Sequence, residues 1–414
     1  MLVAARAIWS LASSIPGPFL TLYMIALGAT PVDIGLVSAL TVVGGMAVEP
    51  IGGYIADRRG RVKLVGLSTF GYAVTYIIFA LASDWRWLGL GQILQQMFFF
   101  YSPGLNAILA DSLPPGTRGR GYALERTFPA ALGVAAPYLG GVLIAIYGGG
   151  EEALVAAMRQ AYWIAFWGGL LAAFVRIRYL KETLTSDAPS LRPRDLPSIL
   201  KEAYGGVFET IRWLPRSFRP IVYLQIVQST FIAMAAPFWV LYAKQALGLS
   251  APDWGTLMLF SGIAGIAFIL PAGYLVDRLG SKKVVLFSMA LAPVSVSLFM
   301  MAKGFWSCAL VLIVLSLSNT MVTPSFASLI ADMISRDRRG RVYALIGENG
   351  IQVSTSRLMG GGLLLVAPAA IGSIAGGYLY EWSIASPFLV MLVSLVACIA
   401  LAQRSIREPE HPAL

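Results

Sequence analysis

Runs of roughly 20 apolar residues alternate along this chain with short basic loops, the pattern of helices long enough to cross a bilayer. They predict about twelve spans, near 6–27, 32–56, 64–82, 88–110, 122–147, 160–180, 219–246, 253–276, 284–302, 305–330, 343–379 and 384–402. One polar loop pattern follows both the second and the eighth run. Its first copy runs from Gly53 through Asp57, Arg58, Arg59, Gly60 and Arg61 to Lys63. The second runs from Gly273 through Asp277, Arg278 and Gly280 to Lys282 and Lys283.

The duplication extends beyond that loop. Pro18-Phe19 and Leu22-Tyr23 recur as Pro237-Phe238 and Leu241-Tyr242. Pro103 and Asp111 recur as Pro324 and Asp332, and Arg118-Gly119-Arg120 as Arg339-Gly340-Arg341. Offsets of 219 to 221 throughout indicate two copies of one unit, and an even number of spans between them makes the copies parallel. The expected fold is an all-α membrane protein with twelve transmembrane helices in two six-helix repeats. Its domains are 1–180, a proline-rich linker at 181–217, a second bundle at 218–405 and a tail at 406–414. The copies differ in one place. The Gly140-Gly141 pair follows Arg120 by 20 residues, whereas the Gly376-Gly377 pair follows Arg341 by 35. The extra stretch, Gly347 to about Gly361, reads either as a surface helix before span eleven or as a broken, lengthened span.

Only 13% of the 414 residues are charged and 57% are hydrophobic, against about 25% charged in soluble proteins. The net charge of +10 reports orientation rather than nucleic-acid binding. Arg86, Arg159, Lys244 and Lys303 alone fall on one side, and Arg6, Arg126 and Arg357 within or near spans. The remaining lysines and arginines, Arg176 included, share the other side, which places both termini in the cytoplasm. Anionic lipid headgroups are the expected secondary partner. Cys308 and Cys398 lie in apolar runs and read as buried thiols. The single histidine, His411, sits in the tail, and no metal or cofactor pattern is present.

With its twelve spans, parallel halves and the G-x-x-x-D-R-x-G-R loop after spans two and eight, the whole chain resembles the major facilitator superfamily. The second loop departs from the family pattern, with Ser281 where an arginine is common. The resemblance implies solute transport by alternating access about a cavity lined by spans one, four, seven and ten. It also implies a latch at the loops that breaks and re-forms during transport. Its members here would be Gly53, Asp57, Arg58, Gly60, Arg61, Asp111, Arg118 and Arg120, with Gly273, Asp277, Arg278, Asp332, Arg339 and Arg341 in the second half. Asp111 and Asp332 end helices whose dipoles disfavour an anion, so each needs a partner, for Asp111 such as Arg58, Arg61, Arg118 or Arg120. Gly53 and Gly273 would let a neighbouring helix approach closely, and Gly60 and Gly280 would make the turn.

The four cavity-lining spans each carry an uncharged polar stripe at helical spacing. The candidate substrate-binding residues are Ser13 and Ser14, then Gln92, Gln95, Gln96, Phe99 and Asn106. In the second half they are Gln225, Gln228 and Trp239, then Asn319, Thr320 and Thr323. Buried carboxamides need partners in hydrocarbon, so a neutral or amphipathic solute suits these stripes better than a small anion. Thr30 with Asp33 and Ser250 with Asp253 have capping-box spacing and read as structural. Glu49 lies about 12 Å up its helix from Asp57 and should either pair with Arg6, Arg126 or Arg357 or titrate above the usual carboxylate range. Glu49, Arg126 and Arg357 are therefore the coupling candidates. Glu125 and Arg126 lie close enough to a helix end to snorkel.

Span four lacks the arginine common in proton-coupled members. Span five holds Pro137, Gly140 and Gly141, resembling an antiporter motif of exporters, or simply a small-residue packing face. The resulting expectation is a monomeric, proton-coupled exporter of a small-molecule substrate, with no enzymatic activity. The alternatives are uptake of a neutral polar solute such as a sugar, and a receptor or lipid-handling protein on the same scaffold.

Overall fold

The computed structural model describes residues 1–58, 60–113, 118–148, 150–183, 205, 209–335, 338–347, 350–355 and 362–405. The chain divides into two compact units. One holds Met1–Gly28 with Gly44–Gly206, the other Ala29–Val43 with Val207–Leu414. Ten helices among the described residues are long and apolar enough to cross a membrane. Helix Pro31–Arg58 takes the second place, and Trp85–Phe98 with Ser102–Ser112 the fourth, completing an all-α fold of twelve spans. Side chains such as Leu270, Trp306 and Trp382 are largely exposed, as an acyl-chain solvent allows. Cys308 and Cys398 are free and buried.

The repeat is visible in the packing. In the first unit span three (Val62–Ala80) packs on span six (Glu151–Tyr179), and span one on spans five (Arg118–Ile146) and six. In the second, span nine (Ser281–Met301) packs on span twelve (Ser386–Ser405). Span seven there packs on span eleven (Val366–Trp382) and span twelve. Spans eight (Ala251–Leu279) and nine both flank span ten (Phe305–Met333).

Both first helices bend at one place. Leu2–Ser14 and Leu20–Ala26 are joined by a 3₁₀ turn at Gly17–Phe19, and Arg219–Ala235 and Trp239–Gln245 by another at Ala236–Phe238. Pro18 and Pro237 occupy the middle of these turns, where the missing N–H breaks the α-helical ladder.

Small residues set the tightest crossings. A methyl group on Gly372 or Gly376 would overlap the carbonyl oxygen of Thr230 or Met234 on span seven. Gly140 on span five meets the Ile15 carbonyl of span one in the same way, and Gly133 meets Ser10. Gly133 and Gly140 thus lie in the face of span five that packs on span one.

Both capping boxes form. Asp33 accepts from Thr30 N–H at 2.8 Å and Asp253 from Ser250 N–H at 2.9 Å, each returned by the hydroxyl. After span ten, helix Arg339–Ile346 ends at Gly347 (φ +78) and residues 350–355 are non-helical. The next described helical element is Leu363–Leu365, and the rest of the Gly347–Gly361 stretch lies outside the described residues.

Candidate functional site

The turn of each loop motif depends on a left-handed glycine, Gly60 at φ +92 and Gly280 at φ +85, a region that other residues enter with strain. Beyond the first turn, Arg61 forms an ion pair with Asp111 at the end of span four. Its guanidinium also reaches Thr183 Oγ1 at 2.8 Å and the Ala56 carbonyl at 3.3 Å. Glu182 accepts the backbone N–H groups of Arg61 (2.9 Å) and Val62 (3.0 Å). A carboxylate thereby caps the N-terminus of span three, where the helix dipole favours an anion. No local sequence pattern marks Glu182, because it arrives from beyond span six.

The second copy is wired differently. Ser281, in the place of Arg61, lies 2.8 Å from Ser328 Oγ and 3.5 Å from Asp332 Oδ2. Arg339 caps the end of span ten by donating to the carbonyls of Ile334 (2.9 Å) and Ala331 (2.7 Å). Arg278 stacks over Tyr274 at 4.7 Å, Asp277 is exposed, and Arg341 lies 3.9 Å from Glu209 with both groups exposed. The close-packed glycine is Gly52, against the Phe100 carbonyl. A methyl group on Gly53 would meet Pro103 only at ordinary contact distance and one on Gly273 would face open space, so the expected close approach there is corrected. The side chains of Asp57, Arg58, Arg118 and Arg120 lie outside the described residues.

Arg61→Ala should shift the balance of loop conformations modestly, by a factor of about 5 at most, since a part-exposed pair is worth about 0.2–1 kcal/mol. Solute turnover in vesicles would change by that factor, with restoration by Arg61→Asp combined with Asp111→Arg. Equal turnover in wild type and Arg61→Ala would remove the pair from the cycle.

The polar stripes divide between interior contacts and open faces. Gln92 and Gln95 are buried, with Gln92 Nε2 3.7 Å from Met24 Sδ and Gln95 Nε2 3.4 Å from Thr75 Oγ1. Gln96 lies against Gly45. Ser13 and Ser14 are half-buried, and Phe99 and Asn106 exposed. Phe99 joins a chain of rings through Tyr72, Tyr76 and Trp9. In the second unit Gln228 is directed into span twelve, donating to the Ser394 carbonyl at 3.2 Å. Gln225 is buried with neither amide atom hydrogen-bonded, and Trp239 is buried with its indole N–H unbonded. On span ten, Thr320 bonds back to Ser316, whereas Asn319 and Thr323 hold Gln352 and Val353 of the stretch that follows Gly347.

A family model described as Major Facilitator Superfamily matches residues 2–224 and again 221–414. The chain belongs to the Major Facilitator Superfamily. It is 24% identical over 343 residues to the multidrug resistance protein MdtG of Serratia proteamaculans, covering 79% of this chain and 77% of that protein. It is 23% identical over 391 residues to the quinolone resistance protein NorA of Staphylococcus aureus, covering 92% and 90%. Among solved structures, the nucleoside transporter NupG superposes with a TM-score of 0.69 at 15% identity, covering 98% of this chain and 99% of that one. A bacterial homologue of the lysosomal transporter Spinster gives 0.65 at 14%, covering 98% and 94%. The protein is thus a multi-pass membrane transporter, not an enzyme.

Among the described residues of this superfamily member's first unit, two charged side chains are buried, Glu125 and Arg176. Arg6 pairs with Glu125, which is 1% exposed. The snorkelling reading of Glu125 is therefore replaced by a buried pair, and Arg6 is engaged there. Arg176, counted by its sequence position among the loop cations, is instead 2% exposed. Its guanidinium donates to Thr69 Oγ1 at 2.6 Å and stacks between Trp9 (5.7 Å) and Tyr101 (5.1 Å). The side chains of Glu49 and Arg126, and all of Arg357, lie outside the described residues.

Proposed function

We propose that this transporter exports small amphipathic or neutral organic solutes across the cell membrane by alternating access, driven by protons, with both termini cytoplasmic. The observation that carries the reading is the character of the stripes. Gln92, Gln95, Gln96, Phe99, Asn319 and Thr323 offer amides, hydroxyls and rings with no charged group among them. Neutral hydrogen-bonding groups beside aromatic faces suit planar organic solutes. Two relatives spanning most of the chain are named for resistance to multiple drugs or to quinolones, which supports the outward direction. The one-sided distribution of arginines supports the orientation. A proton carrier needs an intramembrane carboxylate, and Glu49, whose sequence position falls in helix Pro31–Arg58, is the residue proposed for it.

The test is ethidium retention in a drug-sensitive bacterium expressing the protein. Retention should fall several-fold and recover when a protonophore collapses the gradient. Glu49→Gln should abolish the protonophore response. Retention equal to that of cells lacking the protein would overturn export, and an intact response in Glu49→Gln would remove that carboxylate from coupling.

A further inference from the structure

Residues 350–355 run as non-helical backbone along span ten, in the stretch that the first repeat lacks. The Asn319 carboxamide takes both hydrogen-bonding groups of one residue of this strand. Its Nδ2 donates to the Val353 carbonyl at 2.9 Å, and its Oδ1 accepts the Val353 N–H at 3.0 Å. Gln352 Nε2 donates to the Asn319 carbonyl at 3.1 Å and to Thr323 Oγ1. Pro324, lacking an N–H, leaves the neighbouring Thr320 carbonyl without its ladder partner in span ten. The Val353 side chain is 1% exposed. Ile351 closes an apolar hollow formed with Leu224, Met289, Val322, Phe326 and Leu329.

We propose that residues 350–355 are a tethered occupant of an amide-reading site on span ten, and that a solute taken there presents a paired N–H and C=O edge and displaces the strand. A carboxamide in an apolar interior needs both its donor and its acceptor bonded. When the strand leaves, Asn319 is left with one of each, side by side. An ether or ester offers acceptors alone, whereas the N–H and C=O that flank one Cα between two amides, the edge Val353 presents, satisfy both groups at once. The strand is held by side-chain contacts rather than by a helical ladder, and two of its bends, Gly347 at φ +78 and Gly350 at φ +68, are glycines. Such positions can absorb backbone rotation on release.

The test does not depend on export, because it reads thiol alkylation in the purified full chain. Val353→Cys keeps both backbone bonds to Asn319 and places a buried thiol on the strand. Cys308→Ala and Cys398→Ala remove the background. N-ethylmaleimide should label this variant slowly. Asn319→Ala should speed labelling roughly tenfold or more, as the loss of two neutral hydrogen bonds implies. Gln352→Ala should speed it less, and this variant decides the matter if Asn319→Ala does not fold. Millimolar N-acetylvaline methylamide should accelerate labelling, and its N-methylated analogue, which lacks the Val-equivalent N–H, should not. Identical labelling rates in the folded variants and the parent would show a permanent strut and overturn the proposal. Equal effects of the two analogues, or no effect of either, would overturn the amide-reading site.

Discussion

Gly372→Leu and Gly376→Leu are each expected to leave little folded protein. At both positions a side chain would have to occupy the space of a carbonyl oxygen on span seven, at Thr230 or Met234. Backbone, unlike the end of a flexible side chain, cannot move aside locally, so the helices must separate. Overpacking of this kind costs about 1–3 kcal/mol or more, and separation also forfeits dispersion contacts along spans seven and eleven. The measurement is the melting temperature by fluorescence-detected size exclusion, with Gly273→Leu as the comparison. Gly273 belongs to the repeated loop motif but faces open space, so its substitution should leave melting nearly unchanged. Equal melting of all three variants would show that the close crossing of spans seven and eleven is not what the tight glycines provide.

The second large effect is expected at Arg6. Glu125 is buried and its carboxylate pairs with the Arg6 guanidinium. Arg6→Ala strands that charge, and breaking a buried pair in this way costs about 3–5 kcal/mol. The lower end applies here, because the Arg6 side chain is 37% exposed and water can partly replace it. Glu125→Gln in the Arg6→Ala background should recover much of the loss, since a neutral amide is cheaper to bury than an unpaired carboxylate. A double-mutant cycle in melting or unfolding free energy measures this coupling. If the two substitutions add independently, the pair is not a unit.

The repeat and the spans were legible because each rests on local chemistry. Pro18 and Pro237 mark only the repeat in the sequence, and the bends came from the structure. Hydropathy sets span length, and proline removes a donor wherever it lies. The capping boxes at Thr30 and Ser250 were legible for the same reason, since three residues carry the whole interaction. What sequence could not place was long-range pairing. Glu182 caps span three from beyond span six, and Arg176 looks like an ordinary loop cation until Trp9 and Tyr101 close over it. The stripes show the limit most clearly. Helical spacing put Gln225 and Gln228 on one face, but span twelve meets Gln228 there through Ser394. Periodicity reports that a face is polar, not which neighbour it meets. The insertion posed two possibilities that composition did not separate. Gly347 ends the helix that precedes it with a left-handed backbone, and residues 350–355 run non-helical; the remaining residues of the stretch lie outside the described ones.

The matching bends of spans one and seven also order events in the history of the chain. A kink at Pro18 and its counterpart at Pro237 is inherited most simply from a single ancestral half that already carried it. The segment around Val353 has no counterpart in the first half, so the two copies diverged there after the gene doubled. Shared scaffold and unshared segment are therefore separable, and trimming the latter is the route to a minimal, symmetric form of this carrier.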